Sequence, residues 1–248
     1  MRLRGRKGIR ETIEKQDDLV VMNPASWKGR WAEWFGNEKP IHVELGMGKG
    51  KFISEMSMLH PECNFIGVDM YDELIRRASE KARIAAGRED GSAPDNLALA
   101  LFNIERIGEV FAEAELGRIY LNFSDPWPKK KHARRRLTHA GFVEQYIHLL
   151  DSGGDIHFKT DSRSLFEFSL NSFADMNIRL RHISLDLHKN GPAPNNVMTE
   201  YESKFYEQNM PIYRLEAVIG KDALAANDER IRAERDKMAD SLATEANN

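Results

Sequence analysis

The amino-acid sequence predicts an α/β domain in which a mostly parallel sheet carries helices on both faces. Two observations point that way. Short apolar runs alternate with longer segments whose apolar residues recur at helical spacing, and strands that alternate with helices pair in parallel through crossovers. Polar or acidic residues also fall at the ends of those runs: Glu44, Asp69, Asn103, Asp125, and Thr160 with Asp161. Ligands of such sheets bind outside the carboxyl ends of the strands, so these residues are expected to share one cleft.

Residues 1–40 read as an irregular, partly helical arm. Trp27, Trp31, Trp34 and Phe35 lie at helical spacing and are expected to cover an edge of the core. Pro40 ends the arm, and residues 41–220 form the main domain. Residues 41–45 are a short apolar run stopped by glycines, which suits a buried strand. Residues 51–59 place Phe52, Ile53, Met56 and Leu59 on one helical face, and Pro61 stops the helix. A second strand covers 65–68 and ends at Asp69; a helix over 73–86 and a polar loop over 87–96 follow. Residues 97–102 read as a third strand, 104–113 as helix, 119–123 as a fourth strand, 141–150 as helix and 155–159 as a fifth strand. Residues 164–173 read as helix, and 178–185 and 212–219 as late strands. The tail, 221–248, is charged and alanine-rich, either a solvated helix or disordered.

With 248 residues and 41% apolar content, the chain holds enough material for one large domain with a sizeable core. A net charge of −3 argues against a protein that simply coats nucleic acid, but the charge is uneven. The first ten residues carry Arg2, Arg4, Arg6, Lys7 and Arg10 with no acid, whereas the tail from Asp222 carries seven acids against four bases. Local basic patches, not net charge, therefore set the contact surface. The lone cysteine, Cys63, excludes an intramolecular disulfide or a cysteine-rich zinc site and fits a reduced, cytosolic setting. The histidines form no paired ligand pattern, so no metal is expected. No apolar run approaches the ~20 residues that span a bilayer, and the basic N-terminus has no apolar segment after it to make a secretory signal.

Residues 44–50 read Glu-Leu-Gly-Met-Gly-Lys-Gly and open a helix after the first strand. Glycines there let the backbone approach a ligand. A phosphate-binding loop would need glycine at Leu45 and serine or threonine at Phe52, and a dinucleotide fingerprint would need two residues between its last glycines; this loop has neither. S-adenosylmethionine fits better. It has an ammonium and a sulfonium and no phosphate, which favours the nearby carboxylate of Glu44. Asp69, 19 residues after Gly50, can accept from both ribose hydroxyls, and Asn103 can bond the adenine.

Residues 124–136 read Ser-Asp-Pro-Trp-Pro-Lys-Lys-Lys-His-Ala-Arg-Arg-Arg, with six cations among the last eight. Pro126 and Pro128 bias Asp125 and Trp127 toward extended backbone. Trp127 has two candidate roles, stacking on a base and capping the core. The cationic run beside a candidate catalytic acid suits phosphate binding, and the N-terminal arginines would extend that track. Asp161, and Thr199 to Phe205 further on, could supply acceptors for the N1–H and exocyclic amine of guanine. The plainer roles are a helix cap for Asp161 and an amphipathic surface turn for 199–205.

Taken together, the Glu44–Gly50 loop, the Asp125-Pro-Trp-Pro-Lys-Lys-Lys-His-Ala-Arg-Arg-Arg run and Thr199-x-Tyr201-Glu202-x-Lys204-Phe205 resemble the bacterial tRNA (guanine-N7-)-methyltransferases, over nearly the whole chain. The resemblance implies a Rossmann-like class I methyltransferase fold with a seven-stranded sheet and an antiparallel last strand. It implies methyl transfer from S-adenosyl-L-methionine to N7 of a guanine in the tRNA variable loop. Carried over by motif, Asp125 is the catalytic acid; Glu44, Gly46, Gly48, Gly50, Asp69, Asn103 and Asp125 hold the methyl donor. Lys129, Asp161, Thr199, Glu200, Tyr201 and Glu202 meet the substrate, and Lys131, His132, Arg134, Arg135 and Arg136 meet RNA. The family commonly has Asp where Asn103 stands and Glu where Asp69 stands. The expected partner is tRNA, with no membrane and no metal, for a cytoplasmic monomer or homodimer. Two alternatives stay open: a methyltransferase acting on an exocyclic base amine, for which Asp125-Pro126-Trp127-Pro128 is a related motif, and a non-catalytic RNA-binding relative.

Overall fold

A computed structural model describes residues 8–246; the expectation for Arg2, Arg4, Arg6 and Lys7 lies outside the described residues. Among the described residues eight strands form one sheet: β1 (Val20–Val21), β2 (Ile41–Leu45), β3 (Asn64–Asp69), β4 (Leu97–Leu101), β5 (Leu116–Asn122), β6 (Leu150–Thr160), β7 (Arg179–Ser184) and β8 (Tyr213–Val218). Their order is β1-β4-β3-β2-β5-β6-β8-β7. Neighbours from β1 to β6 pair in parallel, and β8 inserts antiparallel between β6 and β7. The antiparallel last strand is as expected. The strand beyond the expected seven comes from the arm, which is part of the sheet and not an appendage. Two residues are too few to show a period in sequence.

The helices are α1 (Ile9–Glu14), α2 (Trp31–Phe35), α3 (Lys51–Leu59), α4 (Asp72–Ala86), α5 (Ile107–Val110), α6 (Ala140–Leu149), α7 (Arg163–Asp175), α8 (Glu200–Glu207) and α9 (Lys221–Ala246). Side-chain alternation splits the core into two layers. Phe65, Leu97, Leu99 and Tyr120 point toward α1, α3 and α4, where they meet Ile13, Phe52, Ile53, Ile75 and Ala78. Ile66, Val68, Ala98, Ala100, Ile119 and Leu121 point to the other face, against Trp31, Phe111, Tyr146 and Phe166. Strands covered on both faces read as continuous apolar runs, which is why β2 to β5 are visible in the sequence. Trp31 is fully buried, and its Nε1 donates to the Val110 carbonyl at 3.1 Å, so the arm supplies core as well as cover.

The expected helix over 104–113 is shorter. A 3₁₀ turn at Ile104–Arg106 leads into α5, and Phe111 is already extended. β6 begins five residues before its expected start because Gly153 and Gly154 continue the strand. The tail is helical as α9, and its side chains are exposed over residues 232–239.

Candidate active site

The carboxyl ends of β2, β3, β4 and β5 open on a cleft of about 430 Å³. Its floor is the loop after β2, where Gly46 and Gly48 have φ of +82° and +58°. L-residues avoid that region and glycine does not. The Gly46 and Met47 amides donate to the Val68 carbonyl at 3.0 and 2.9 Å, which folds the loop back over β3. A Cβ built on Gly46 or Gly48 meets nothing within 4 Å, so the space above them is open cleft. Gly50 differs: its Cβ would stand 2.5 Å from that of Ala78. Gly50 therefore permits the close approach of α3 and α4 and does not face the cleft.

Asp69 ends β3 on the cleft wall. Its Oδ2 accepts from the Gly48 amide at 3.3 Å and its Oδ1 from the Tyr71 amide at 3.1 Å. Burial, opposed by those backbone bonds, pushes its carboxyl up to about 6. Asn103, after β4, lines the same wall, and its Oδ1 caps the following turn through the Glu105 amide at 3.0 Å.

Glu44 lies behind the glycines, 2% exposed. Oε1 accepts from Asn122 Nδ2 at 2.9 Å, and Oε2 has no partner. Burial pushes this carboxyl up to about 8, against the opposing effects of the Asn122 bond and the Lys159 charge. Glu44 borders a small side cavity with Thr199, Glu200 and Tyr201, and that cavity shares Gly46, Gly48, Phe123 and Tyr201 with the main cleft.

Asp125 lies on the opposite rim of the cleft, exposed, with Trp127 beside it on the wall. The backbone departs from the extended geometry expected before Pro128, because Trp127 has φ +41°. Left-handed backbone at such residues is strained by roughly 1–3 kcal/mol and persists only where surroundings enforce it. Here Arg136 enforces it. Its Nε and Nη2 donate to the carbonyls of Pro126 and Trp127 at 3.2 and 3.1 Å, and its guanidinium lies 4.3 Å over the Phe168 ring. Arg136 is only 8% exposed, so it is an internal brace for the loop and not one of the exposed cations that the run was expected to offer to RNA. Trp127 belongs to neither core layer. Arg135 covers its ring at 4.8 Å and His132 lies 5.8 Å away. Lys129, Lys130, Lys131, Arg134 and Arg135 are exposed around the 3₁₀ turn Lys130–Arg135. Among the described residues none of the five forms an ion pair with an acid.

Asp161 is half-buried after β6 and borders neither cavity. The expected cap of the next helix falls to its neighbour, since Ser162 Oγ accepts from the Leu165 amide at 3.3 Å. Residues 199–205 are not a surface turn; they open α8 with a capping box between Thr199 and Glu202. Thr199 and Glu200 border the side cavity and Tyr201 borders both cavities, while Glu200 also pairs with Lys81. Glu202 is fully buried and turned away from both cavities, its Oε2 2.6 Å from Lys159 Nζ.

A family model described as "Putative methyltransferase" matches residues 38–215. The tRNA (guanine-N(7)-)-methyltransferase of Lysinibacillus sphaericus is 46% identical over 217 residues, covering 88% of this chain and 97% of that protein. Its Bacillus subtilis counterpart is 43% identical over 216 residues, covering 87% and 98%. The chain belongs to the tRNA (guanine-N(7)-)-methyltransferase family. Among solved structures, an antibiotic-related methyltransferase aligns with a TM-score of 0.56 at 14% identity, covering 82% of this chain and 96% of that one. The 16S rRNA (adenine(1408)-N(1))-methyltransferase of Catenulisporales acidiphilia aligns at 0.52 with 16% identity, covering 82% and 95%. At those identities the likeness shows the methyltransferase fold alone.

In this tRNA (guanine-N(7)-)-methyltransferase family member, two site features escape a sequence reading. Asn122, which holds Glu44, lies inside an apolar strand. Lys159 is the second, and a cation directly after Phe158, at the end of a strand whose Ile156 and Phe158 are apolar, was its available signal. Arg135, expected as an RNA contact, also lines the cleft. Among the described residues, Asp155, His157 and Glu216 could together hold a metal ion. Asp155, however, already accepts from Arg118 Nε at 2.6 Å and Arg181 Nη2 at 2.8 Å, and Glu216 accepts from Arg181 Nε at 2.8 Å. His157 and Arg118 outweigh burial and hold the Asp155 carboxyl below its usual range. The cluster is a neutralised ion-pair network on the sheet face.

Proposed function

We propose that the protein transfers the methyl group of S-adenosyl-L-methionine to N7 of a guanine in the variable loop of tRNA, giving 7-methylguanosine. The observation that carries this reading is the cleft itself: Gly46, Gly48, Asp69, Asn103 and Asp125, from four separate segments, border one cavity. The cofactor's chemistry matches these residues. The open space over two glycines admits a ligand, and the unpartnered Glu44 Oε2 suits an ammonium, since a buried acceptor without a donor costs about 1–3 kcal/mol. Asp69 would hold the ribose hydroxyls and Asn103 the adenine. When bound, S-adenosyl-L-methionine supplies an electrophilic methyl group and a thioether leaving group.

Guanine N7 carries its own lone pair, so the protein need not remove a proton before attack. Its task is to hold the purine in line with the methyl carbon, and such positioning contributes up to ~7–11 kcal/mol in favourable systems. As the new bond forms the purine becomes cationic. A fixed carboxylate beside it stabilises that state more than the neutral ground state, and Asp125 is the rim carboxylate placed to do so. Trp127, braced on the wall beside Asp125, offers a stacking face once Arg135 yields it, and Tyr201, 58% exposed, offers another. The exposed cations at 129–135 meet phosphate. No helix among the described residues is long and apolar enough to cross a membrane, and the proposed place of action is the cytoplasm, where tRNA is modified, as a monomer or homodimer.

The deciding experiment uses labelled methyl donor and unmodified tRNA, with the product nucleoside identified by mass spectrometry. Label in 7-methylguanosine is expected. Label on an exocyclic amine would move the protein to the alternative class, and absence of transfer with intact cofactor binding would leave only an RNA-binding role.

A further inference from the structure

Lys159, next to last in β6, is 6% exposed and spends all three ammonium protons on the first turn of α8 and the segment that leads into it. Nζ donates to Asn196 Oδ1 at 3.2 Å, to the Val197 carbonyl at 3.1 Å and to Glu202 Oε2 at 2.6 Å. Glu202, fully buried, accepts from three further donors. Its Oε2 takes the Thr199 amide at 3.3 Å, and its Oε1 takes Asn196 Nδ2 at 2.8 Å and His188 Nε2 at 2.9 Å. The Ala193 amide donates to His188 Nδ1 at 3.1 Å, so Nε2 carries the proton. Glu202 is also the third residue of α8 and half of its capping box. The first turn of α8 is thus fixed to the end of β6 through one buried ion pair. That turn presents Glu200 and Tyr201 to the cavities, and Phe205, one turn on, packs against Phe123 at 5.9 Å, two residues before Asp125.

We propose that Lys159 is a positioning residue for the target base: acting through Glu202, it locks the first turn of α8 against the cleft and so sets Tyr201, Phe123 and the Asp125 loop relative to the bound substrate. The proposal rests on the methyltransferase reading above. Lys159 borders neither the cleft nor its side cavity, so its influence passes through α8. A buried ion pair is weak evidence for stability, because two well-packed neutral residues often serve as well. Its value here is register, a single position for a short helix that would otherwise be held mainly by its partly exposed face.

The test uses Lys159→Met, Glu202→Gln and the double variant. Each single variant leaves one buried charge without its partner and lowers the melting temperature. The double variant removes both charges and recovers most of that loss. In the double variant, affinity for S-adenosyl-L-methionine stays within about twofold of the parent, whereas kcat on tRNA falls on the order of 100-fold, the scale of a small misplacement of reacting groups. Wild-type kcat in the stable double variant overturns the proposal and leaves the pair a purely structural one. Cofactor affinity falling in step with kcat also overturns it, by moving Lys159 to the donor site. Hydrogen exchange on the free protein tests the lock without any turnover: amides of α8 exchange faster in the double variant while those of β6 do not, and unchanged α8 exchange sinks the lock. Failure of the unaltered protein to form 7-methylguanosine would instead count against the parent reading, with the exchange result still standing.

Discussion

Glu44 lies buried with one oxygen unpartnered, and its carboxyl is pushed up to about 8 by burial. Near neutral pH the ligand-free protein therefore holds it largely protonated. A cofactor ammonium beside it favours the ionised form, so binding expels a proton. Affinity for S-adenosyl-L-methionine is expected to rise by about tenfold per pH unit from about pH 6 to about pH 7, and to peak near pH 8, where an α-amine begins to lose its own proton. Calorimetry in buffers of different ionisation enthalpy would count that proton; Glu44→Gln should flatten the rise, and an unchanged profile in that variant would remove Glu44 from the ammonium site. The stability of the free protein moves the opposite way. The folded carboxyl lies above its unfolded value of 4.5, so the native state binds more protons between those two values and loses stability as pH rises from about 4.5 to about 8. Asp69, raised to about 6 from 3.8, acts in the same direction at lower pH. Asp125 is exposed, and the role proposed for it is electrostatic. Asp125→Ala should lower kcat on the order of 100-fold, the scale seen when one group that stabilises a transition-state charge is removed, with little change in tRNA affinity. Equal losses in turnover and binding would make Asp125 an anchor for the RNA.

At the scale of elements, the loop between β5 and α6 shows where sequence stops being informative. The apolar strands β3 and β4, buried on both faces, and α3 with its proline stop carry their structure in local pattern. The motif at 125–136 is also local, and it located the rim of the cleft. Its backbone is not local: Trp127 leaves the extended geometry that Pro128 favours because Arg136, nine residues on, holds its carbonyl. The same limit hid the Lys159–Glu202 pair, whose members lie 43 residues apart, and it cast Glu202 and Arg136 as contacts when both are inward braces. The brace can be tested directly. Arg136→Ala strands two carbonyls and should lower the melting temperature by several degrees and reduce kcat. Arg136→Lys should not rescue, because one ammonium cannot reproduce a planar fork across two acceptors. Full rescue by lysine would show that only charge is needed there.

Across the whole molecule the net charge is −3, so a polyanion gains nothing from the average field and must be drawn by a patch. The exposed cations at 129–135 form such a patch, with Arg135 lining the cleft, and among the described residues none of them has an acidic partner, which leaves their charge available to phosphate. Binding by such contacts releases condensed counterions, and each phosphate neutralised steepens the dependence of log affinity on log salt by roughly 0.7–0.9. Replacing Lys130, Lys131 and Arg134 by glutamine should therefore weaken tRNA binding and flatten that slope by up to about 2–2.7 units. Arg136→Ala should leave the slope as it is, because a guanidinium buried against Pro126, Trp127 and Phe168 meets no phosphate. Fluorescence anisotropy over a salt series measures both. If the triple variant keeps the parental slope, the patch is a solvated face and the RNA path must cross the molecule elsewhere; if Arg136→Ala flattens it, the loop opens on binding and its brace becomes a contact.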